Sequence, residues 1–367
     1  MMMMGEMNNR AAPARTTAHA IPTLVHHLVE VSVARVPERI ALVDGAHELT
    51  YEALQREIER ITRAYCTVGI AKGGRIAIFT EKRVEFVVAM FAASAAGCAW
   101  VPCNPILKAD QVGHILADCT ASILVTTADR AAALVPVLAK IPSVKTLIVI
   151  GEGEVLAPGL NVLRWRDCAE NAANGPTAQQ LAAHRVIDSD YCAILYTSGS
   201  TGKPKGVTLS HRNIVAGAVS VAQYLEITQD ERILSVLPLS FDAGMNQITT
   251  AFLVGARAVL INHLFARDVI NAVVKYEITG LAGVPPLWIQ LAGLKWPESV
   301  RTHLRYITNT GGHMPRPTLQ TLREQLPTTT PFLMYGLTEA FRSTYLPPSE
   351  IDSRPDSMGK AIPNAEI

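Results

Sequence analysis

None of the six cysteines (Cys66, Cys98, Cys103, Cys119, Cys168, Cys192) stands in a C-x-x-C step, and no histidine–cysteine group has zinc spacing. A structural zinc or a redox dithiol is therefore not expected. The thiols lie in apolar or helical contexts and read as reduced core residues of a cytoplasmic protein. Charge of one sign is also missing: 33 Lys and Arg stand against 32 Asp and Glu, with no dense basic stripe. That balance offers a nucleic acid nothing to follow, so no such partner is expected. The opening Met1–Glu6 has no early apolar core and does not read as a signal peptide. Long hydrophobic runs are nearly absent too. Phe86 to Leu107 is free of charge and approaches membrane-spanning length, but Pro102 and Pro105 break it and its middle is Ala, Ser and Gly. It predicts a buried helix over 84–96 and a short strand through Trp100 and Val101, not a membrane span.

What is present is a globular composition, 49% hydrophobic and 18% charged, without repeats or low-complexity tracts. The 367 residues exceed the ~250–300 at which a single core stops growing, so more than one packed unit is expected. Apolar residues from Ile21 to Val36 repeat at helical spacing until Pro37, with His26 and His27 expected on the helix surface. Short β-type runs follow at 75–79, 122–126, 146–150, 193–196, 232–236 and 257–261. Helical patterns lie at 51–69, 84–96, 109–118, 130–140, 213–224, 243–253 and 266–276. This alternation predicts an α/β fold of two stacked units with mostly parallel sheets. The polar, Gly/Pro-punctuated stretch 151–188 marks the boundary. The expected division is a disordered amino terminus over 1–20, a first α/β subdomain over 21–187 and a second over 188–345.

The most informative segment runs from Ile194 to Gly206. An apolar run ends abruptly in small hydroxyl residues and glycines, then in two lysines held apart by Pro204. Such a segment reads as a buried strand delivering its end to a polyphosphate, with Ser210 capping the helix that follows from about His211. It is no Walker loop, because only Ser200 and Thr201 separate Gly199 from Gly202. It is no dinucleotide fingerprint either, since no Gly-x-Gly-x-x-Gly opens a helix here.

Tyr196-Thr197-Ser198-Gly199-Ser200-Thr201-Gly202-Lys203-Pro204-Lys205-Gly206 resembles the phosphate loop of the AMP-forming acyl-CoA synthetases, amino-acid adenylation domains and luciferases. Further segments match that superfamily in its own order. They are Leu49–Leu54, Ala95–Pro102, Ser240–Gly244, Thr310–Pro315 and Met334–Glu339. The resemblance covers about residues 45 to 365. It implies two α/β subdomains plus a β-barrel subdomain, of which 346–367 would be the first, incomplete part. The small mobile carboxyl-terminal domain that normally follows is missing here, so a truncated chain, or one that works with another chain, is expected.

By this resemblance the chain activates a carboxylic acid with ATP, as an acyl-adenylate, releasing pyrophosphate. The acyl group then normally passes to the thiol of CoA or of a carrier protein's phosphopantetheine. A fragment without the mobile domain is expected to adenylate slowly. The alternative class is a nucleotide-binding scaffold or sensor that has lost catalysis. Thr197, Ser198, Gly199, Ser200, Thr201, Gly202 and Lys203 would cradle the β- and γ-phosphates, with Lys205 a weaker assignment. Gly311, Gly312, His313, Tyr335 and Gly336 would hold adenine, Thr338 the α-phosphate, and Glu339 Mg²⁺. The implied catalytic set is Thr197, Lys203, Thr338 and Glu339. Asp242, Ala243, Asn246, Met334, Arg342 and Ser343 would line the acid's pocket. In amino-acid-activating relatives the aspartate matching Asp242 pairs with the substrate's ammonium, although Gly244 here replaces their serine. Arg342 has two readings: it pairs with a second acidic group on the substrate, or with Asp242 itself, in which case the argument for an amine fails.

Overall fold

The computed structural model describes residues 22–168, 185–197 and 203–367. Its strands form two sheets. The seven-stranded sheet runs, edge to edge, β7 (Asn161–Arg164), β6 (Thr146–Ile150), β5 (Ile123–Thr127), β3 (Arg75–Phe79), β4 (Ala99–Pro102), β8 (Tyr191–Thr197) and β9 (Lys205–Ser210). Every pairing in it is parallel except the β8–β9 hairpin. The nine-stranded sheet runs β16 (Lys360–Ala361), β15 (Thr344–Leu346), β14 (Thr330–Tyr335), β13 (Tyr306–Asn309), β12 (Gly280–Gly283), β10 (Arg232–Ser235), β11 (Arg257–Leu260), β1 (Ile40–Asp44) and β2 (His47–Thr50). Its centre, from β14 to β1, is parallel, and antiparallel strands close both edges. At one of those edges β15 and β16 occupy the region expected to begin a barrel, and no closed barrel forms among the described residues.

The sheets do not divide at residue 187. β1 and β2 lie in the nine-stranded sheet, whereas β8 and β9 join the seven-stranded one. Hydrophobic periodicity marks a strand but carries no address for its partner, so the sequence offers no sign of this exchange.

Alternation along each strand builds three cores. Ile76 and Ile78 face the core between the sheets, while Ala77 and Phe79 face the helices Ala109–Asp118 and Ala128–Leu138. Leu42 and Ile233 face the same central core, and Val43 and Leu234 face the helices on the far side of the nine-stranded sheet. Four helices fill the middle layer: Tyr51–Thr67, Val84–Ala95, His211–Tyr224 and Asp242–Val254. Val84–Ala95 is apolar nearly all round because protein surrounds it on every side. No helix among the described residues is long and apolar enough to cross a membrane.

Two polar ties hold the layers. Lys82, 7% exposed, donates from Nζ to the carbonyls of Ser235 (2.5 Å) and Leu237 (2.9 Å), lashing the end of β3 to the end of β10. The second tie corrects the expectation for the paired histidines. His26 is packed inward, its ring 4.7 Å from that of His27 and 6.3 Å from that of His211, and Nδ1 of His211 accepts the Val25 N–H at 3.1 Å. Burial pushes the imidazole of His26 down to about 3 and that of His211 to about 4.

Candidate functional site

The hairpin β8–β9 carries the glycine-rich motif. Thr197 pairs with Lys205 and Tyr196 with Gly206. A Cβ on Gly206 would lie 2.7 Å from Ile194 Cγ2, so the facing strands leave no room there for a side chain. Ser198, Gly199, Ser200, Thr201 and Gly202 lie outside the described residues. Thr197 is half-buried at the end of β8, and Lys203 and Lys205 are exposed. Tyr196 donates its hydroxyl to Asp118 at 2.5 Å, anchoring the hairpin to the neighbouring helix. The expected cap is present: Ser210 Oγ accepts the Asn213 N–H at 3.2 Å, and Asn213 Oδ1 accepts the Ser210 N–H at 2.9 Å.

The purine-type loop and the Met334–Glu339 motif meet because β13 and β14 are parallel neighbours, with Asn309 opposite Leu333. Both motifs leave the carboxyl ends of their strands, where open α/β sheets bind ligands. Gly311, Gly312, His313, Met334, Tyr335 and Gly336 line one groove of about 390 Å³. Gly311 has φ +75°, a backbone that glycine adopts without strain. Sequence reasoning missed Asn309, which donates from Nδ2 to the Gly312 carbonyl at 2.8 Å and so holds the glycine pair in place. It also missed the groove's far wall, which includes Asp356 and Met358. These residues belong to no motif the sequence displays.

Beyond Tyr335 the chain turns sharply through Thr338 and Glu339, and Phe341 sits at φ +61°. A bulky residue in that region is strained and is held there by its surroundings. The holding contact is visible: a Cβ on Gly217 would fall 2.1 Å from the Phe341 ring. Glu339 is exposed, Thr338 is half-buried, and Glu339 shares a groove of about 260 Å³ with Arg212 and Asn213. The turn is thereby brought against the helix that directly follows the phosphate-type hairpin.

Ala243, Asn246, Met334 and Arg342 line a second, narrower cavity of about 30 Å³, and Met334 belongs to both cavity walls. Asp242 and Ser343 do not line it. The Ser343 N–H donates to the Tyr335 carbonyl at 3.1 Å. Asp242 accepts from Arg342 Nη1 at 2.7 Å, with side chains 15% and 4% exposed respectively. The carboxylate thus has its cation within the protein, and the inference of a substrate amine from an unpaired Asp242 does not stand. The departure at Gly244 also has a cause: a Cβ there would lie 2.1 Å from the Pro238 carbonyl oxygen, so a serine cannot be accommodated in this backbone.

A divalent cation at Glu339 would take one exposed carboxylate from the protein. No group of three His, Cys, Asp or Glu among the described residues stands ready to complete its shell. A hard oxygen donor of this kind fits Mg²⁺ whose remaining ligands are phosphate oxygens and water.

The model of the AMP-binding enzyme family matches residues 29–367, and the chain belongs to that family. Relatives include carrier-protein and CoA ligases and peptide synthases. An L-proline–[L-prolyl-carrier protein] ligase of Streptomyces coelicolor is 29% identical over 87% of this chain and 59% of that protein. A feruloyl-CoA synthase of Amycolatopsis is 27% identical over 76% of this chain and 52% of that protein. The chain therefore spans little more than half the length of these relatives. Among solved structures, the anthranilate CoA ligase AuaEII in complex with anthranoyl-AMP superposes with a TM-score of 0.80 at 21% identity. It covers 94% of this chain and 65% of that one, a likeness of fold.

Proposed function

We propose that this chain carries out ATP-dependent activation of a carboxylic acid. The acid's oxygen bonds to the α-phosphorus of ATP, the bond from that phosphorus to the bridging oxygen breaks, and pyrophosphate leaves. The acyl group then passes to the thiol of CoA or of a carrier protein's phosphopantetheine. The cytoplasm, which supplies ATP, is the proposed setting.

The observation that carries this reading is the shared wall at Met334, with a wide groove on one side and a narrow cavity on the other. An adenine in the first and an acid in the second would meet at the turn holding Thr338 and Glu339. Bringing two anions together requires screening and alignment. Lys203 supplies positive charge to the departing phosphates, and the Thr338 hydroxyl donates to the α-phosphate. Tyr335, 44% exposed, is free to stack on the purine, and Gly311 and Gly312 let backbone approach its edge. Mg²⁺, when bound through Glu339, would neutralise phosphate charge.

The test is exchange of radiolabelled pyrophosphate into ATP across a panel of acids, alongside ATP and AMP binding by calorimetry. Acid-dependent exchange is the expected result. Nucleotide binding without exchange for any acid would favour the scaffold or sensor instead, and no nucleotide binding would remove the reading altogether.

A further inference from the structure

Eleven buried side-chain nitrogen and oxygen atoms among the described residues have no hydrogen-bond partner in the protein. Five of them belong to the narrow cavity beyond Met334: Asn246 Nδ2, Gln247 Oε1, Thr250 Oγ1, Thr308 Oγ1 and Arg342 Nε. Their residues are between 1% and 6% exposed. Leaving one such atom unpaired costs stability, and native proteins seldom do it. Gathering five around one cavity of about 30 Å³ calls for a small polar occupant: ordered water when no acid is bound, and the polar end of an acid that displaces it. Two of the five are held in position from behind. Gln247 gives Nε2 to the Leu234 carbonyl at 2.6 Å, and Arg342 gives Nη1 to Asp242 at 2.7 Å and to the Phe341 carbonyl at 2.9 Å.

Charge narrows the class further. Arg342, which lines the cavity, is neutralised by Asp242, which does not. A substrate bringing only an ammonium to Asp242 strips Arg342 of its partner, and one bringing only a second carboxylate to Arg342 strips Asp242. Either leaves a largely buried charge uncompensated, the costly outcome for a broken ion pair. Only a group that replaces both charges, or neither, leaves the balance intact.

Building on the adenylation reading, we infer that the acid activated here is short and polar and carries no net charge beyond its reacting carboxylate. Two sources share that chemistry. One is an amino acid with a second carboxylate, which opens the Asp242–Arg342 pair and satisfies both partners. The other is an acid ending in hydroxyl or carboxamide, which leaves the pair closed and bonds to Asn246, Gln247 and the two threonines.

The experiment is pyrophosphate exchange and calorimetric binding, both with the chain as it stands. The panel holds aspartate, glutamate, glycerate and succinamate against alanine, proline, succinate, butyrate and benzoate. At least a tenfold preference for members of the first group is expected. Preference for a lone-amine acid, a plain diacid or a hydrocarbon acid would overturn the inference while leaving adenylation intact. Exchange with no acid, and no nucleotide binding, would overturn both.

The double variant Asp242→Asn/Arg342→Gln separates the sources, since it removes both charges together and avoids a stranded one. Loss of aspartate and glutamate binding by tenfold or more, with glycerate retained, identifies the charged source. Glycerate and succinamate preferred by the parent and bound equally well by the double variant identify the uncharged one. Equal binding of all nine acids to the parent, with no preference among them, would overturn the inference. Thr250→Val supplies a check that leaves the ion pair alone. It is expected to weaken the preferred acid severalfold, and unchanged binding would count against a polar cavity.

Discussion

The two sides of Met334 are built in opposite ways. The groove that includes Tyr335 and the glycine pair is wide, and glycine backbone forms part of its wall. The cavity beyond it is narrow, and buried side chains of several elements, held by hydrogen bonds and an ion pair, line it. A surface made of backbone is read by any member of a ligand class, because the amide groups are the same whatever the surrounding sequence. A surface made of converging side chains is particular to one chain. On the proposed reading, the first surface would meet the nucleotide and the second would select the acid.

That contrast can be broken at several points. The largest effect is expected on the nucleotide side. Lys203→Ala and Glu339→Gln are each predicted to lower acid-dependent exchange by roughly 10²–10³-fold, the scale of losing one preorganised charge contact. Both residues are exposed, so melting temperature is expected to stay within a degree or two. Acid affinity should change far less than ATP use, and equal loss of both in titrations would place Lys203 elsewhere.

On the acid side stability is expected to move instead. Arg342→Leu strands Asp242 and is predicted to cost about 3 kcal/mol in urea unfolding, with the double variant Asp242→Asn/Arg342→Leu recovering much of it. Failure of the second change to restore stability would show that the pair is not coupled.

Tyr335→Ala is expected to weaken AMP binding by roughly 1–2 kcal/mol, the scale of one base–aromatic stack. It should leave the urea midpoint unchanged. Smaller still is the cap: Ser210→Ala is predicted to cost about 1 kcal/mol of stability. A pH titration probes the packed layer shared by both sides. An unfolded histidine takes up its proton near 6.5, but His26 and His211 resist it down to about 3 and 4. The unfolded chain therefore binds more protons in that window, and stability is expected to fall as pH drops from about 6.5 towards 4. Flat stability over that range in a thermal scan would refute the buried, neutral assignment.

Legibility in the sequence follows the same divide. The strand leading into Thr197, the cap at Ser210 and the Gly311–Gly312 pair were readable, because phosphate-type turns, caps and close backbone approaches restrict residue choice at adjacent positions. The helix over 109–118 was readable from periodicity, and that over 84–96 from a charge-free apolar run that Pro102 and Pro105 break. The partner of Arg342 was narrowed to a substrate acid or Asp242 and could not be decided further. Residues 242 and 342 lie a hundred positions apart, and nothing local distinguishes a carboxylate awaiting a ligand from one already paired. Asn309, Gln247 and Lys82 escaped notice for a related reason: each acts through a backbone carbonyl, which leaves no complementary residue type to find. The address of β1, β2, β8 and β9 was equally hidden, since alternation is the same whichever sheet receives a strand.

That exchange of strands makes the two halves of the chain mutually dependent during assembly. The nine-stranded sheet takes its β1–β2 edge from the first fifty residues, and the seven-stranded sheet takes its hairpin edge from residues 191–210. Neither half, made separately, can finish its own sheet, and each would present an unpaired edge shaped for the other. Contacts spanning some two hundred positions, such as Leu42 opposite Ala258, predict slow folding, since long loops must close before those strands pair. Complementation of two separately produced halves is the natural behaviour of such an architecture, and independent folding of either one is not.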